Sequence, residues 1–209
     1  MILTDRWEYV FLQYLGGCKL MTKRIVVTGG PGTGKTVLIQ MLETLGYPCY
    51  HEIIRELTQE AIKSEDAVNQ KINPLAFVSD PYAFNTKILE GRVAQFHNAT
   101  ELQSPIVFYD RGIPDVMAYM EYFGQHIDES FSKPGQNLRY DTVILLPPWK
   151  EIYKQDHERL ENFGQACDLH ENIENQYIKL GYSPIILETG NPEFRLQRLL
   201  EHLNLNHEF

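Results

Sequence analysis

The sequence has few cysteines, no long apolar run and fewer basic than acidic residues. Its 209 residues include three cysteines, which are Cys18, Cys49 and Cys167. An odd number at wide spacing, without a CxxC pair, argues against a disulfide framework or a zinc site and favours reduced thiols in the cytoplasm. No run approaches the roughly 18 apolar residues of a membrane-spanning helix. The early acidic residues Asp5 and Glu8 do not suit a secretory signal.

The charge balance restricts the classes of partner. Lysine and arginine total 19 against 28 acidic residues, which gives a formal net charge of −9. A surface of this sign disfavours binding to nucleic acid or to an anionic membrane. A small anionic ligand needs only a few well-placed bases, so the net charge does not exclude one.

The length and composition predict one soluble domain, which we place at residues 22–209. Residues 1–21 form an N-terminal extension, which is either an extra helix or the result of a start codon assigned upstream of Met21. The oligomeric state cannot be read from the sequence.

Short apolar segments alternate with helical patterns along the domain. We predict strands at 24–28, 49–51, 106–109, 143–146 and 185–187. Helices are expected after residue 36, over about 52–63, over 81–98 behind the N-cap Asp80, and from Pro192 onward. In the last helix, the residues expected to face the core are Phe194, Leu196, Leu199, Leu200 and Leu203. This order predicts a doubly wound α/β domain of about five parallel strands, with its ligand beyond their carboxyl ends.

The strongest motif is the glycine-rich segment GGPGTGKT at residues 29–36, which fits GxxxxGK[ST] between a strand and a helix. Such a loop turns successive N–H groups toward a phosphate, and the following helix adds positive charge. Lys35 is expected to reach the β- and γ-phosphates, and the Thr36 hydroxyl to bind Mg²⁺. The predicted ATP-binding residues are Gly30, Gly32, Thr33, Gly34, Lys35 and Thr36.

A second magnesium-associated acid is expected at the end of an apolar strand, and Asp110 occupies such a position. Asp110 is followed by Arg111 instead of the glutamate typical of motor ATPases, and the chain has no Asn-Lys-x-Asp element of a GTPase. An arginine here can hold the transferring phosphoryl group, as in small-molecule kinases. The alternative is a capping or salt-bridge arginine.

Two further pairs of residues are candidates for the acceptor side. Glu52 and Arg55 lie three residues apart at a predicted helix start. Glu52 can accept the proton of an attacking hydroxyl, and Arg55 can hold an acceptor group, but a solvated first turn explains both equally well. Asp115 and Arg92 are candidates for lining the acceptor pocket, although helix-dipole and surface roles also account for them.

The segment after the fourth strand is rich in charge and is predicted to form a mobile lid at about 148–168. Its Asp156-x-x-Arg159 piece would bring Arg159 onto the phosphates; a charged exposed helix is the alternative. Four histidines lack metal-ligand spacing and are interpreted as surface or satisfied core residues: His97, His126, His170 and His202.

Taken in order, the motifs GGPGTGKT, HEIIRE, DPYAF, FYDRGIPD, QDHERLE and ILETGNPEFRLQRLL resemble the small AAA-domain-type P-loop ATPases or kinases. That group is similar to the nicotinamide-riboside kinase domain of the bacterial NAD regulator and, more distantly, to thymidylate and deoxynucleoside kinases. The resemblance spans about residues 22–205. Two positions depart from the nucleoside kinases: His157 follows the lid aspartate where glycine is common, and Gly112 follows Asp110-Arg111 where serine is usual.

The resemblance implies a P-loop NTPase fold with a five-stranded parallel sheet in the order 2-3-1-4-5. It also implies MgATP on the 29–36 loop, Asp110 near the metal, Glu52 as base, Arg111 on the phosphoryl group and Arg159 in the lid. The turn at 188–195 would lie near the adenine.

The function predicted from these features is a Mg²⁺-dependent kinase that transfers the γ-phosphoryl group of ATP to a small nucleoside-like or nucleotide-like acceptor. The proposed catalytic set is Lys35, Glu52, Asp110, Arg111 and Arg159, and the acceptor would contact Glu52, Arg55, Arg111 and Asp115. The alternatives are an ATPase that acts as a regulatory switch and, least favoured, a binding module without turnover.

Overall fold

The computed structural model describes residues 21–53, 80–153 and 162–205. Its five strands are β1 (Lys23–Thr28), β2 (Cys49–Tyr50), β3 (Ile106–Asp110), β4 (Thr142–Leu145) and β5 (Ile185–Ile186). The described α-helices are α1 (Lys35–Thr44), α2 (Pro81–Asn98), α3 (Ile113–Tyr122), α4 (Glu129–Asn137), α5 (Phe163–Lys179) and α6 (Pro192–His202). A short 3₁₀ helix, Ala99–Glu101, follows α2.

The strands form one sheet in the order β2-β3-β1-β4-β5, and every neighbouring pair is parallel. This confirms the predicted fold class and strand order. Val27 pairs in register with Asp110, and Thr28 pairs with Leu145. The carboxyl ends of β1, β3 and β4 therefore meet at one edge, where residues that follow them in the chain come together.

A hydrophobic core lies on each face of the sheet, because successive side chains of a strand point to opposite faces. On one face, Val26 and Tyr109 pack with residues of α2, α3 and α5. On the other face, Ile25 and Phe108 pack with residues of α1 and α6. This arrangement explains why the strands read as continuous apolar runs instead of alternating patterns.

The predicted elements agree with the structure to within about one residue at each strand end. The Asp80 carboxylate accepts a hydrogen bond from the backbone N–H of Ala83 at 3.0 Å, which confirms it as the N-cap of α2. The helix predicted over 52–63 begins at Ile53, and its remaining residues lie outside the described part of the chain. Residues 1–20 also lie outside it. None of the described helices is long and apolar enough to cross a membrane.

One core prediction is wrong. Phe194 in α6 is 41% exposed, whereas Leu196, Leu199 and Leu200 are buried as expected. The aromatic ring lies over Gly190, where an added Cβ would come within 2.4 Å of it. Phe194 therefore covers the turn that precedes the helix instead of entering the core.

Candidate functional site

The loop at residues 29–36 joins β1 to α1 and has the backbone that its glycines permit. Gly29 has a φ of 138°, and a Cβ there would lie 2.3 Å from the Leu146 carbonyl oxygen. Gly34 forms the N-cap of α1 with a φ of 86°. Neither position accepts another residue without strain or a clash with backbone. The helix N-terminus therefore opens onto the concave side of a tightly curled loop.

The Lys35 side chain turns back into this loop and is only 7% exposed. Its Nζ donates hydrogen bonds to the carbonyl oxygens of Gly29 at 3.0 Å and Gly30 at 2.8 Å, and to Thr33 Oγ1 at 3.3 Å. Burial, with a smaller contribution from the positive charge of Arg111, lowers the pKa of Lys35 to about 7. The ammonium group is thus held among loop oxygens at the point where an anionic ligand would stabilise its charge.

Arg111 connects three parts of the site. Its Nε donates to Glu52 Oε1 at 2.6 Å, and its Nη1 donates to the Gly29 carbonyl oxygen and to Asp115 Oδ1, both at 3.2 Å. The backbone of Arg111 has a φ of 73°, which is unusual for a residue with a side chain. Arg111 therefore forms salt bridges, as the alternative interpretation of this arginine expects. It also lies against the glycine-rich loop through its contact with Gly29.

Glu52 follows β2 and is 15% exposed, so it is not part of a solvated helical turn. Burial alone would raise the pKa of this carboxyl group. The charges of Arg111, Lys35 and Arg92 outweigh burial and hold the pKa below its usual range. Glu52 is consequently an ionised proton acceptor in a mostly buried, positively charged setting. Its predicted partner Arg55 lies outside the described residues.

Asp115 is fully buried in the first turn of α3. In addition to Arg111, its oxygens accept hydrogen bonds from the Gly112 N–H at 2.9 Å and the Tyr177 hydroxyl at 2.7 Å. Burial would raise its pKa, but the charges of Arg92 and Arg111 and the hydrogen bonds from the Thr28 hydroxyl and the Gly112 N–H lower it. The carboxylate is thus ionised and fully engaged by protein donors, so it orients Arg111.

The two residues predicted to bind Mg²⁺ lie at the end of β3 and the start of α1, and their role as metal ligands stays a prediction. Asp110 ends β3 and is 4% exposed, and its register partner Val27 lies two residues before Gly29. Thr36 is the second residue of α1. Among the described residues there is no group of three or more His, Cys, Asp or Glu side chains suited to a metal. A carboxylate and a hydroxyl fit Mg²⁺, which takes few protein ligands and completes its shell with water and phosphate oxygens.

A cavity of about 140 Å³ opens between α2 and α3, beside Arg111. We refer to it as the α2–α3 cavity. Its lining residues are Pro81, Phe84, Asn85, Ile88, Arg92, Arg111, Asp115, Val116, Tyr119, Phe123 and Gln125. Asn85 Nδ2 donates to Gln125 Oε1 at 2.5 Å. This amide pair and three charged residues stand among lining side chains that are otherwise apolar or aromatic. Arg92 and Asp115 line this cavity next to Arg111; that the cavity takes the acceptor stays a prediction.

Two residues beside the loop were not among the predicted site residues. Arg195 in α6 donates from Nη1 to the Thr33 carbonyl oxygen at 2.6 Å. His170 in α5 lies against Gly30, and its Nδ1 is buried without a hydrogen-bond partner in the described chain, which contradicts its interpretation as a surface or satisfied core residue. The family resemblance implied that the 188–195 turn, which ends at Arg195, lies near the adenine. No sequence signal pointed to His170.

The structure describes only the two ends of the predicted lid. Asp156 and Arg159 lie outside the described residues. Just before them, Tyr153 lies over Gly32, where a Cβ would come within 2.7 Å of its ring. Helix α5 begins at Phe163, within the range predicted for the lid.

Comparison with known proteins supports this picture at the level of family and fold. A family model described as an AAA domain matches residues 24–195. A nucleotide-binding protein of Shewanella halifaxensis is 25% identical over 156 residues, which cover 75% of this chain and 47% of that protein. A nucleotide-binding protein of Halalkalibacterium halodurans is 39% identical over 56 residues, which cover 27% of this chain and 19% of that protein. The chain thus spans less than half the length of these relatives.

Solved structures with the same fold include three kinds of protein. Deoxyadenosine kinase from M. mycoides superposes with a TM-score of 0.61 at 17% identity, covering 87% of this chain and 98% of the kinase. The NadR protein in complex with NAD and AMP-PNP gives 0.62 at 18% identity, covering 90% of this chain and 51% of NadR. Thymidylate kinase from Candida albicans gives 0.62 at 14% identity, covering 88% and 91%. At these identities the likeness establishes the fold.

Proposed function

Because this chain belongs to the AAA domain family, we propose that it is a Mg²⁺-dependent kinase that transfers the γ-phosphoryl group of ATP to a small nucleoside-like or nucleotide-like acceptor. The observation that carries the proposal is the position of Arg111. Its guanidinium group contacts the glycine-rich loop, the Glu52 carboxylate and the edge of the α2–α3 cavity at once. A phosphate site, a base and an acceptor pocket are thereby joined through one side chain.

ATP binding is assigned to the 29–36 loop. Backbone N–H groups of Gly30, Gly32, Thr33 and Gly34 would surround the β-phosphate, and Lys35 would exchange its loop carbonyls for phosphate oxygens. The nucleotide-binding relatives and the kinases among the structural neighbours support this assignment. Thr36 and Asp110 would hold Mg²⁺, which neutralises charge on the β- and γ-phosphates when bound.

Glu52 is assigned as the general base. The acceptor oxygen forms a bond to the γ-phosphorus, the bond to the β–γ bridging oxygen breaks, ADP leaves, and the hydroxyl proton moves to Glu52. In the structure Arg111 holds the pKa of Glu52 below its usual range. When Arg111 shifts onto the phosphoryl group, Glu52 loses part of that stabilisation and becomes a stronger base at the moment of transfer.

The α2–α3 cavity is assigned to the acceptor. Phe84, Tyr119 and Phe123 offer flat apolar surfaces, while Asn85 and Gln125 offer amide donors and acceptors. This combination suits a planar heterocycle with polar edges, linked to a hydroxyl-bearing group that reaches Glu52. Arg159 stays a prediction as a lid arginine that closes on the phosphates, and a cytoplasmic location without nucleic-acid or membrane partners also stays a prediction.

The proposal is tested by incubating the full chain with MgATP and a panel of nucleosides, nucleotides and ribosyl-pyridine compounds, followed by mass spectrometry of phosphorylated products. Glu52→Gln should lower turnover by about 100- to 10,000-fold while the Kd for ATP stays within about twofold. Lys35→Ala should lose both turnover and ATP binding. Glu129→Gln and Lys133→Ala, whose side chains are exposed and paired with each other on α4, are the matched controls.

One outcome of this experiment would contradict the kinase assignment. If no acceptor accelerates ATP consumption and Glu52→Gln hydrolyses ATP as the wild type does, the kinase assignment is wrong. An ATPase that switches a partner surface would then be the better account.

A further inference from the structure

Arg195 is a buried cation that the proposed transfer chemistry does not use. It lies in the first turn of α6 and is 4% exposed. Its Nη1 donates to the Thr33 carbonyl oxygen, but its Nε and Nη2 are buried without hydrogen-bond partners in the described parts of the chain. An arginine left in this state is costly, because buried charges are normally paired and their donors satisfied.

The fold holds Arg195 in this place. The Asn191 side chain caps α6 by accepting a hydrogen bond from the Phe194 N–H at 2.8 Å, and Pro192 fits the first helical position. Leu196 and Leu199 then anchor the helix in the core that it shares with α1. Arg195 consequently contacts the glycine-rich loop from the side of α6, which we call the back of the loop. Lys35 and Arg111 contact carbonyl oxygens of the loop from the opposite side, within the site.

The hydrogen bond from Arg195 is accepted by the peptide group that joins Thr33 to Gly34. The Thr33 carbonyl and the Gly34 N–H are the two ends of one planar trans peptide, so they point in opposite directions. Arg195 Nη1 also lies 3.1 Å from the place where a Gly34 Cβ would be. By binding the carbonyl end outside the loop, the guanidinium holds the Gly34 N–H toward the inside, where a phosphate would accept it.

We propose that Arg195 is a positioning residue for the polyphosphate, which fixes the Thr33–Gly34 peptide with its N–H turned inward and supplies a positive charge behind the loop. The inference rests on the proposed binding of ATP to this loop, and it does not require phosphoryl transfer. Burial lowers the pKa of Arg195 to about 10, which agrees with a charge that has no carboxylate partner among the described residues. A bound polyphosphate supplies the missing counter-charge.

The test measures the affinity of the full chain for ATP, ADP, AMP and inorganic tripolyphosphate by calorimetry. Arg195→Gln should weaken ATP and tripolyphosphate by about 10- to 100-fold and ADP by less, with AMP nearly unchanged. Arg195→Lys, which keeps the charge, should recover most of the loss. Arg198→Gln is the matched control, because Arg198 lies on the same helix but pairs with Glu188 and Glu201.

Each other outcome overturns the inference. Equal weakening of all four ligands would mean that Arg195 only anchors α6, and an unchanged ATP affinity would mean that the loop does not need it. Arg195→Met, whose side chain has neither a donor nor a charge, replaces Arg195→Gln if that variant does not fold. Wild-type affinity for ATP in Arg195→Met would also mean that the loop does not need Arg195. If the wild type binds neither ATP nor tripolyphosphate, the proposed function fails as well, whereas binding without phosphoryl transfer removes the kinase assignment alone.

Discussion

The Thr28 hydroxyl donates a 2.5 Å hydrogen bond to Asp115 Oδ1, although the two residues are 87 positions apart in the chain. Thr28 is the last residue of β1, immediately before the glycine-rich loop, and Asp115 lies in the first turn of α3. The same carboxylate binds Arg111 and Tyr177. One buried acid thereby fixes the start of the loop, the arginine beside it and the helix α5.

Asp115→Asn tests how much this network contributes to the fold. The amide would replace one acceptor oxygen by a donor and leave Arg92 and Arg111 with one fewer negative charge nearby. Because uncompensated buried charge is costly, we expect a loss of about 3 kcal/mol in the free energy of unfolding. Urea denaturation measures it, and Asp168→Asn, an exposed aspartate on α5, should change the value by less than about 0.5 kcal/mol.

A double-mutant cycle with Tyr177→Phe shows whether the loss arises at this contact. Alone, Tyr177→Phe should cost about 1 kcal/mol, because it removes one buried hydrogen bond. In the Asp115→Asn background it should cost clearly less, since the charged acceptor is already gone. Strictly additive losses would show that Asp115 and Tyr177 act independently, contrary to the geometry.

Arg111 has a left-handed backbone and a side chain to which we assign a role in phosphoryl transfer, and two variants separate the effects of backbone and side chain. Arg111→Ala and Arg111→Gly both remove the guanidinium group, and both should abolish phosphoryl transfer. Only the glycine variant relieves the strain of a φ of 73°. We expect Arg111→Gly to be more stable than Arg111→Ala by up to about 1 kcal/mol, as measured by urea denaturation. A more stable alanine variant would contradict the assigned backbone strain.

Gly30 tests the contact between the loop and α5. A Cβ at this position would lie 2.7 Å from the Ala166 carbonyl oxygen, a backbone atom of α5 that cannot turn aside. We expect Gly30→Ala to lower the free energy of unfolding by about 1–3 kcal/mol and the affinity for ATP by at least about 10-fold, because loop and helix are forced apart.

Gly46→Ala is the control for Gly30→Ala. Gly46 has a φ of 86°, but no atom lies within 4 Å of the place that its Cβ would take, and it follows the far end of α1. The variant should lose about 1–2 kcal/mol to backbone strain and bind ATP as the wild type does. Equal ATP affinity in both variants would show that the close approach of Gly30 to α5 has no functional consequence.

The sequence predicted the sheet and the loop well, because both depend on local pattern. The β-branched runs, the motif at 29–36 and the Asp80-Pro81 helix start each carry their own signal within a few residues. The helices α3, α4 and α5 were not predicted. In α3 seven of the ten residues are buried, so it lacks the broad polar face by which an amphipathic helix is recognised.

The site was harder to predict for a different reason. Glu52 and Asp110 could be proposed because Glu52 follows one strand and Asp110 ends another, and the carboxyl ends of parallel strands must meet. The mutual contacts of Arg111, Asp115 and Thr28 depend on how α3 packs against the sheet, which no local pattern determines. Arg195 and His170 reach the loop from α6 and α5, and only the tertiary structure shows that these helices approach it.

His170 provides a prediction about pH. Burial, together with the positive charge of Lys35, lowers the pKa of His170 from 6.5 to about 4. Below pH 6.5 the unfolded chain binds a proton at this residue and the folded chain does not. The stability that neutral His170 contributes is therefore fully present above pH 6.5 and is lost as the pH falls toward 4.

His170→Asn removes this proton linkage and should flatten the dependence of stability on pH. Between pH 6.5 and 4.5 the free energy of unfolding of the wild type should fall more steeply than that of the variant. The difference in slope should be below the limit of about 1.4 kcal/mol per pH unit, because solvent screens a ring that is only partly buried. Urea denaturation at several pH values measures both slopes. His126→Asn, at an exposed position, is the control, and parallel curves for wild type and His170→Asn would show that the imidazole titrates freely in the folded protein.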